Sequence, residues 1–524
     1  MSMASNCYGL TLWSGDVTRQ NGSSMGVEME ATRLRLHTGF QIDEVDPRIF
    51  GGFLEHLGRA VYQGIYDPES YHADENGFRT DVADALNRLE MTTMRYPGGN
   101  FVSGYHWMNG VGPIEDRPTV RDLAWQSIEP NHFGTDEFMK LCAKMKWTPM
   151  IAVNLGTGTP EEARDWVEYC NLPTGTEYAD YRSVNGADEP FGVPLWCLGN
   201  EMDGPWQLGH VPARDYAIRA QQAAKMMKDT DPSIELVVCG SCSVSLDTYL
   251  EWDREVLEYT WNNVDYVSLH RYVGNRESDT ASYLGVTNAI DQQIEEMDAV
   301  CRFVQGKLKS DKRVYSCFDE WNVWYKSRET DGRGKFAPHL VEEVYNLEDA
   351  LVVAGFLQSF IRHADSVKIA NIAQIVNVIA PLLTRGDNLL IQSTFYPFEM
   401  MSKRRYGTAL RISVNGPNYT SREYGETRTI DASAILDRHR LHVFATNRSL
   451  IESAPVEVDL SDGKLVFVED AEILTGSDPK MANSWEEPDQ VVSAAFENIE
   501  LKDGRALMIL PPLSFVAMTL EVSS

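Results

Sequence analysis

The chain has 524 residues, 43% of them hydrophobic and 10% aromatic, enough for a large ordered core and for more than one domain. Its formal net charge of −30 is spread along the chain, which argues against nucleic acid or an anionic membrane as partner. No run approaches the roughly 18 consecutive apolar residues of a membrane-spanning helix, and residues 1–30 lack the basic-then-apolar pattern of a secretory leader.

Those first thirty residues are polar and rich in Gly and Ser, and read as an extension outside the fold. Residues 31–40 alternate polar and apolar as a half-buried strand does, free to pair with a sheet near the C-terminus. From there strand-like and helical patterns alternate. Strands are expected at 49–53, 91–96, 148–153, 193–198, 234–239, 264–269, 313–318 and 366–374. Helical spacing falls at 79–90 and 138–146, around Ala163, Trp166 and Tyr169, and at 216–227, 246–260, 289–305 and 347–362. This alternation predicts a (β/α)8 TIM barrel over residues 31–400. A doubly wound sheet fits less well, because no Gly-rich dinucleotide fingerprint follows the first strand. After Pro397 helical spacing stops. Short apolar segments at 441–445, 456–460, 506–510 and 515–520, separated by turn residues, predict an antiparallel β-sandwich over 401–524.

Eight cysteines in a chain of this length are not a disulfide framework, and their mostly apolar surroundings suit a reducing, cytoplasmic compartment. Cys239-Gly-Ser-Cys242 is formally C-x-x-C, but no second pair completes a zinc site, and no metal is expected.

Polar residues collect at the C-terminal ends of the expected strands, which in a barrel open on one face. The strand at 193–198 leads into Asn200 and Glu201, and the strand at 313–318 leads into Glu320 and Trp321. A lone glutamate in a loop is ordinarily just solvated. Two at strand ends of one barrel, three strand-helix units apart, converge. Around them the same face gathers Glu55, Arg95, Asn100, Asn200, His270 and Tyr272, with Gln392 reaching in from a later loop. Paired carboxyls among amides and aromatics, without a phosphate cradle or metal-ligand spacing, indicate glycoside hydrolysis.

The residues themselves carry a resemblance. Glu55-His56-Leu57-Gly58-Arg59-Ala60-Val61-Tyr62, Arg95-Tyr96-Pro97-Gly98-Gly99-Asn100-Phe101, Gly199-Asn200-Glu201-Met202-Asp203-Gly204-Pro205-Trp206 and Asp319-Glu320-Trp321-Asn322 closely resemble the α-L-arabinofuranosidases of glycoside hydrolase family 51. Segments 346–350 and 374–381 fit the same family, so the resemblance runs from about residue 31 to the C-terminus. It implies that Glu201 is the acid/base, Glu320 the nucleophile, and Asn200 the partner of the sugar 2-hydroxyl. Arg95 and Tyr272 would hold Glu320, the cation favouring its ionised form. Glu55, Asn100 and Gln392 would bind furanose hydroxyls. Trp125 and Trp324 fit either stacking on the leaving-group sugar or packing, and His270 fits either a site role or a bond to its neighbours. The resemblance further implies an arabinofuranosyl oligo- or polysaccharide substrate, no cofactor, and a homo-oligomer, a hexamer in this family. The polar loop 326–340 would shape the leaving-group side. Two rivals stand beside this reading: a retaining β-xylosidase or endo-β-1,4-glucanase on the same barrel, and a sugar-binding protein with a spent site. The two intact glutamates speak against the second.

Overall fold

Eight parallel strands form the centre of the molecule: Gly51–Phe53, Thr93–Tyr96, Thr148–Ala152, Leu195–Leu198, Glu235–Cys239, Tyr266–Val273, Tyr315–Val323 and Val367–Ala373. Each pairs with the one before it, and the eighth pairs with the first, so the sheet closes into a barrel. The computed structural model describes residues 31–523, and the extension expected at 1–30 lies outside them. The strands read as near-continuous apolar runs because side chains fill the barrel on one face and helices cover the other. Helix Leu347–Arg362 illustrates the covering layer. Asn346 accepts a hydrogen bond from the Asp349 N–H while the Asp349 carboxylate takes the Asn346 N–H, a reciprocal cap that fixes where the helix starts. Residues 347–361 are buried on every side, because the helix lies between the barrel and the sheet that follows.

The sixth and seventh strands run further than their apolar patterns suggested. Tyr266–Val273 carries a pairing irregularity between Ser268 and His270, and Tyr315–Val323 carries one between Phe318 and Trp321. His270 and Glu320 therefore lie within strands and not beyond them. A bulge re-aims the side chains beside it, and both fall at polar residues near the C-terminal ends of their strands.

Beyond helix Phe395–Ser402, a five-stranded and a seven-stranded sheet pack face to face. They share a core to which Leu34, Val458 and Met508 contribute from one sheet and Val443, Val516 and Leu520 from the other. Strand Thr32–Leu36 belongs here, between Ser413–Asn415 and Ala454–Leu460. Its alternation buries Leu34 and Leu36 and turns Arg33 and Arg35 outward. Its pairing with Ala454–Leu460 is parallel, so the sandwich is not purely antiparallel. A hairpin forces neighbouring strands to run antiparallel, but these two are joined through the whole barrel and escape that constraint. The described residues thus start in the sandwich, build the barrel and return. Among the described residues no helix is long and apolar enough to cross a membrane.

Candidate active site

The fourth barrel strand ends at Leu198, and the chain turns at once so that Glu201 stands over the barrel mouth. Glu201 has φ = 45°, a left-handed conformation that costs a non-glycine residue about 1–2 kcal/mol. The turn aims its carboxylate at two donors. His270 Nδ1 lies 2.9 Å from Oε1, and the Trp206 indole N–H donates to Oε2 at 2.6 Å.

Glu320, almost fully buried, is held from two other sides. Arg95 donates to its Oε1 at 2.7 Å and the Tyr272 hydroxyl to its Oε2 at 2.8 Å. The same guanidinium donates to Asn200 Oδ1 at 2.6 Å and sits 3.2 Å from Asp319. The Asn200 amide is thereby turned with Nδ2 buried and without a hydrogen-bond partner. Gly99 makes this crowding feasible: a Cβ there would come within 2.7 Å of Glu320 Oε1 and 3.4 Å of Asn200 Nδ2.

Glu55 forms the third side. Its Oε1 accepts from the Phe101 N–H at 3.0 Å and from the Trp125 indole at 3.1 Å, and its Oε2 accepts from Gln374 at 3.1 Å. Gln374 also accepts the Glu55 backbone N–H, clamping the first strand end to the eighth. Asn100 opens a short helical turn between Gly99 and Phe101, is half-buried, and makes no side-chain hydrogen bond within the described residues. Trp324 stands edge-on to Tyr272, ring centroids 5.5 Å apart, with its indole N–H on the Ser327 carbonyl.

Gln392 departs from the expectation that it reaches a furanose hydroxyl. It has no exposed surface; its Oε1 accepts the Tyr345 N–H, and its Nε2 donates to the carbonyls of Glu343 and Ala380. The amide ties two loops together and has nothing left to offer a ligand. From outside the expected set, Trp206 joins the site, as does Gln374 behind Glu55. Both stand inside the quoted motifs, so the signal was present; what those motifs lack is any indication of which way each side chain points.

The electrostatics follow from burial. Burial disfavours the His270 cation, but Glu320 and Asp319 outweigh it and hold the imidazolium well above its usual range. Asp319 is likewise opposed by burial, yet Arg95 and His270 keep it below its ordinary value. For Glu320 the balance tips the other way. Burial raises its carboxyl more than His270 and Arg95 lower it, with Glu201 adding to the rise. Arg95 acts in the expected direction but does not win. Glu55 is pushed up to about 8, by burial and then by Glu320. Two cations, Arg95 and His270, therefore face four carboxyl groups, and the site is electrically neutral when two of the four carry protons.

Glu201, His270 and Glu320 each offer one ligand atom within 4.8 Å of the others, a spacing a metal ion can bridge. Here, however, a protonated His270 has no lone pair to give, and the carboxylate oxygens already face Arg95, Tyr272 and Trp206. The arrangement is that of two carboxyls oriented by donors.

The raised Glu55 carboxyl has a measurable consequence. Between its ordinary value of 4.5 and about 8 the folded chain holds a proton that the unfolded chain has lost, so stability falls as pH rises through that window. Glu55→Gln replaces the neutral acid by a neutral amide and removes this dependence. The thermal midpoint of the parent should therefore decline from pH 5 to 8 more steeply than that of the variant; parallel curves would refute the assignment.

Two family models match the chain, an α-L-arabinofuranosidase 1 domain over residues 85–289 and an α-L-arabinofuranosidase C-terminal domain over 319–514. An intracellular exo-α-(1→5)-L-arabinofuranosidase of Acetivibrio thermocellus is 43% identical over 87% of this chain and 93% of its own length. An exo-α-(1→6)-L-arabinofuranosidase of Bifidobacterium longum is 42% identical over 94% of this chain and 97% of its own. Among solved structures, a family 51 α-L-arabinofuranosidase from Bifidobacterium longum superposes with a TM-score of 0.90 at 36% identity, covering 94% of this chain and 99% of its own. With such identity over nearly its whole length, the chain belongs to the family 51 α-L-arabinofuranosidases.

Proposed function

We propose that this protein is an exo-acting α-L-arabinofuranosidase that removes terminal non-reducing arabinofuranosyl residues by double displacement, with retention of configuration. The observation that carries the reading is the separation of the two carboxyls. One oxygen of Glu201 lies within 4.8 Å of one of Glu320, near the roughly 5–5.5 Å of retaining glycosidases and too close for the intervening water of inverting ones. Glu320 attacks the anomeric carbon as Glu201 gives its proton to the departing glycosidic oxygen; Glu201 then takes a proton from the water that releases the sugar. Arg95 and Tyr272 hold one oxygen each of the Glu320 carboxylate and so fix its orientation for attack. The unpartnered Asn200 Nδ2 supplies the donor for the sugar 2-hydroxyl, and Glu55 and Asn100 meet the remaining hydroxyls. Trp125 and Trp324 flank the leaving-group side. A β-xylosidase or endoglucanase reading of the same barrel has no support among the curated relatives, which are named as arabinofuranosidases.

The curated relative named intracellular and seven unpaired, buried cysteines in the described residues support action inside the cell on arabino-oligosaccharides. Self-association into a homo-oligomer rests on the family resemblance and is read directly by light scattering.

Azide tests the two roles. With 4-nitrophenyl α-L-arabinofuranoside, Glu201→Ala should accumulate a covalent intermediate that azide intercepts as the α-azide. Glu320→Ala should give the β-azide by direct displacement. The same anomer from both variants would reverse or abolish the assignment.

A further inference from the structure

Trp206 folds back over the turn that carries Glu201. The turn closes by a hydrogen bond from the Gly204 N–H to the Glu201 carbonyl at 2.8 Å and another from the Gln207 N–H to the Gly204 carbonyl at 3.0 Å. Gly204 leaves just enough room for the ring: a Cβ there would fall 2.7–3.0 Å from the indole Cε2, Cζ2 and Nε1. The ring is 52% exposed, so packing alone does not hold it there. Its one strong polar tie is the 2.6 Å hydrogen bond to Glu201 Oε2.

The two oxygens of Glu201 are therefore unlike. Oε1 faces inward to His270, whose other nitrogen is braced by Ser268 at 3.2 Å and Asp319 at 3.3 Å. Oε2 faces the half-exposed indole at the mouth, where a leaving group departs. A charged imidazolium on Oε1 takes the better acceptor, which places the transferable proton on Oε2 beside the indole. An indole N–H can only donate. We propose that Trp206 is a positioning residue for the acid step, its N–H steadying the Glu201 carboxylate as the proton leaves for the glycosidic oxygen. This rests on the arabinofuranosidase reading above.

The step balances simply. The Glu201 O–H bond breaks, its proton bonds to the glycosidic oxygen, and the electrons of the breaking C1–O bond stay on that oxygen. The Glu320 carboxylate forms the new bond to C1. As Oε2 passes from acid to carboxylate, its hydrogen bond from Trp206 becomes charge-assisted and about twice as strong. An interaction that tightens only toward the transition state accelerates the step. Its value grows with the need for protonation, and so with the basicity of the leaving group.

The test is kcat/KM, which reports the first chemical step, for aryl α-L-arabinofuranosides from 2,4-dinitrophenyl to phenyl. Trp206→Phe keeps an apolar ring and removes the donor. Its loss should grow along the series, reaching roughly tenfold more on the phenyl than on the dinitrophenyl glycoside, the scale of one charged hydrogen bond. Gly204→Ala keeps the indole but displaces it, and should steepen the dependence in the same way. If Trp206 only stacks on the leaving group or packs, the Trp206→Phe line will run parallel to the parent's, and the proposal falls. Should Trp206→Phe fail to fold by circular dichroism, the slope for Gly204→Ala decides alone, a parallel line again overturning it. A parent enzyme inactive on every arabinofuranoside would instead overturn the activity reading itself.

Discussion

Glu320→Gln should lower kcat/KM on 4-nitrophenyl α-L-arabinofuranoside on the order of 10^5-fold, the scale seen when a nucleophile is removed. The amide preserves the volume of the side chain; its one oxygen can still accept from Arg95 in the place of Oε1, while its NH2 group meets the Tyr272 hydroxyl, which can turn to accept. The fold should therefore survive, with a circular dichroism spectrum like the parent's. What the amide lacks is a charged oxygen able to bond the anomeric carbon. The nitrophenolate leaving group needs little acid assistance, so the defect isolates the attack. A residual rate within about tenfold of the parent would mean that another group attacks.

Arg95→Met should damage both activity and durability. Arg95 has no exposed surface, and its guanidinium links Glu320, Asn200 and Asp319 while lying 4.6 Å above the Phe53 ring. Methionine fills much of the volume but leaves Asp319 and Glu320 buried with His270 as their one nearby cation. Breaking a buried ion pair by removing one partner costs about 3–5 kcal/mol. The expected result is a loss of roughly 10^2–10^3 in kcat/KM and a much shorter half-life on heating. Arg95→Lys restores charge but not the planar fork that meets three partners at once, and should recover only part of either loss. A methionine variant with the parent's half-life would show that the carboxyls do not depend on this cation.

The barrel was legible because buried strands leave apolar runs that helical stretches interrupt, and all eight are found where those runs lie. The bulges at His270 and Glu320 were not, since one extra residue in a strand leaves no trace in periodicity. The parallel pairing of Thr32–Leu36 was equally hidden, because direction depends on a partner more than four hundred residues away. For the site, residue types at strand ends identified the neighbourhood: Glu55, Arg95, Asn200, Glu201, Tyr272 and Glu320 do lie together. Gln392 looked alike in sequence, but its amide faces three backbone groups, a choice made by loop packing. Depth of burial, also invisible in sequence, is what turned the Glu320 carboxyl against the sign expected from Arg95. Trp206 stood in plain view, yet its aim depends on a left-handed glutamate and an uncrowded glycine.

The strand Thr32–Leu36 is made first and partnered nearly last. Its pairs at residues 456–460 and the bond from Thr38 to Asp462 span 424 positions. At about 5–20 residues per second of synthesis, that edge waits roughly 20–85 s on the ribosome for the chain that completes it. Cutting the protein near residue 400 would consequently not yield a clean barrel: it would strand an unpaired β-segment on the N-terminal fragment, and the released sandwich would lack a strand from inside its sheet. For protein engineering, the sandwich is no detachable cassette, and exchange with a relative must carry residues from both ends of the chain.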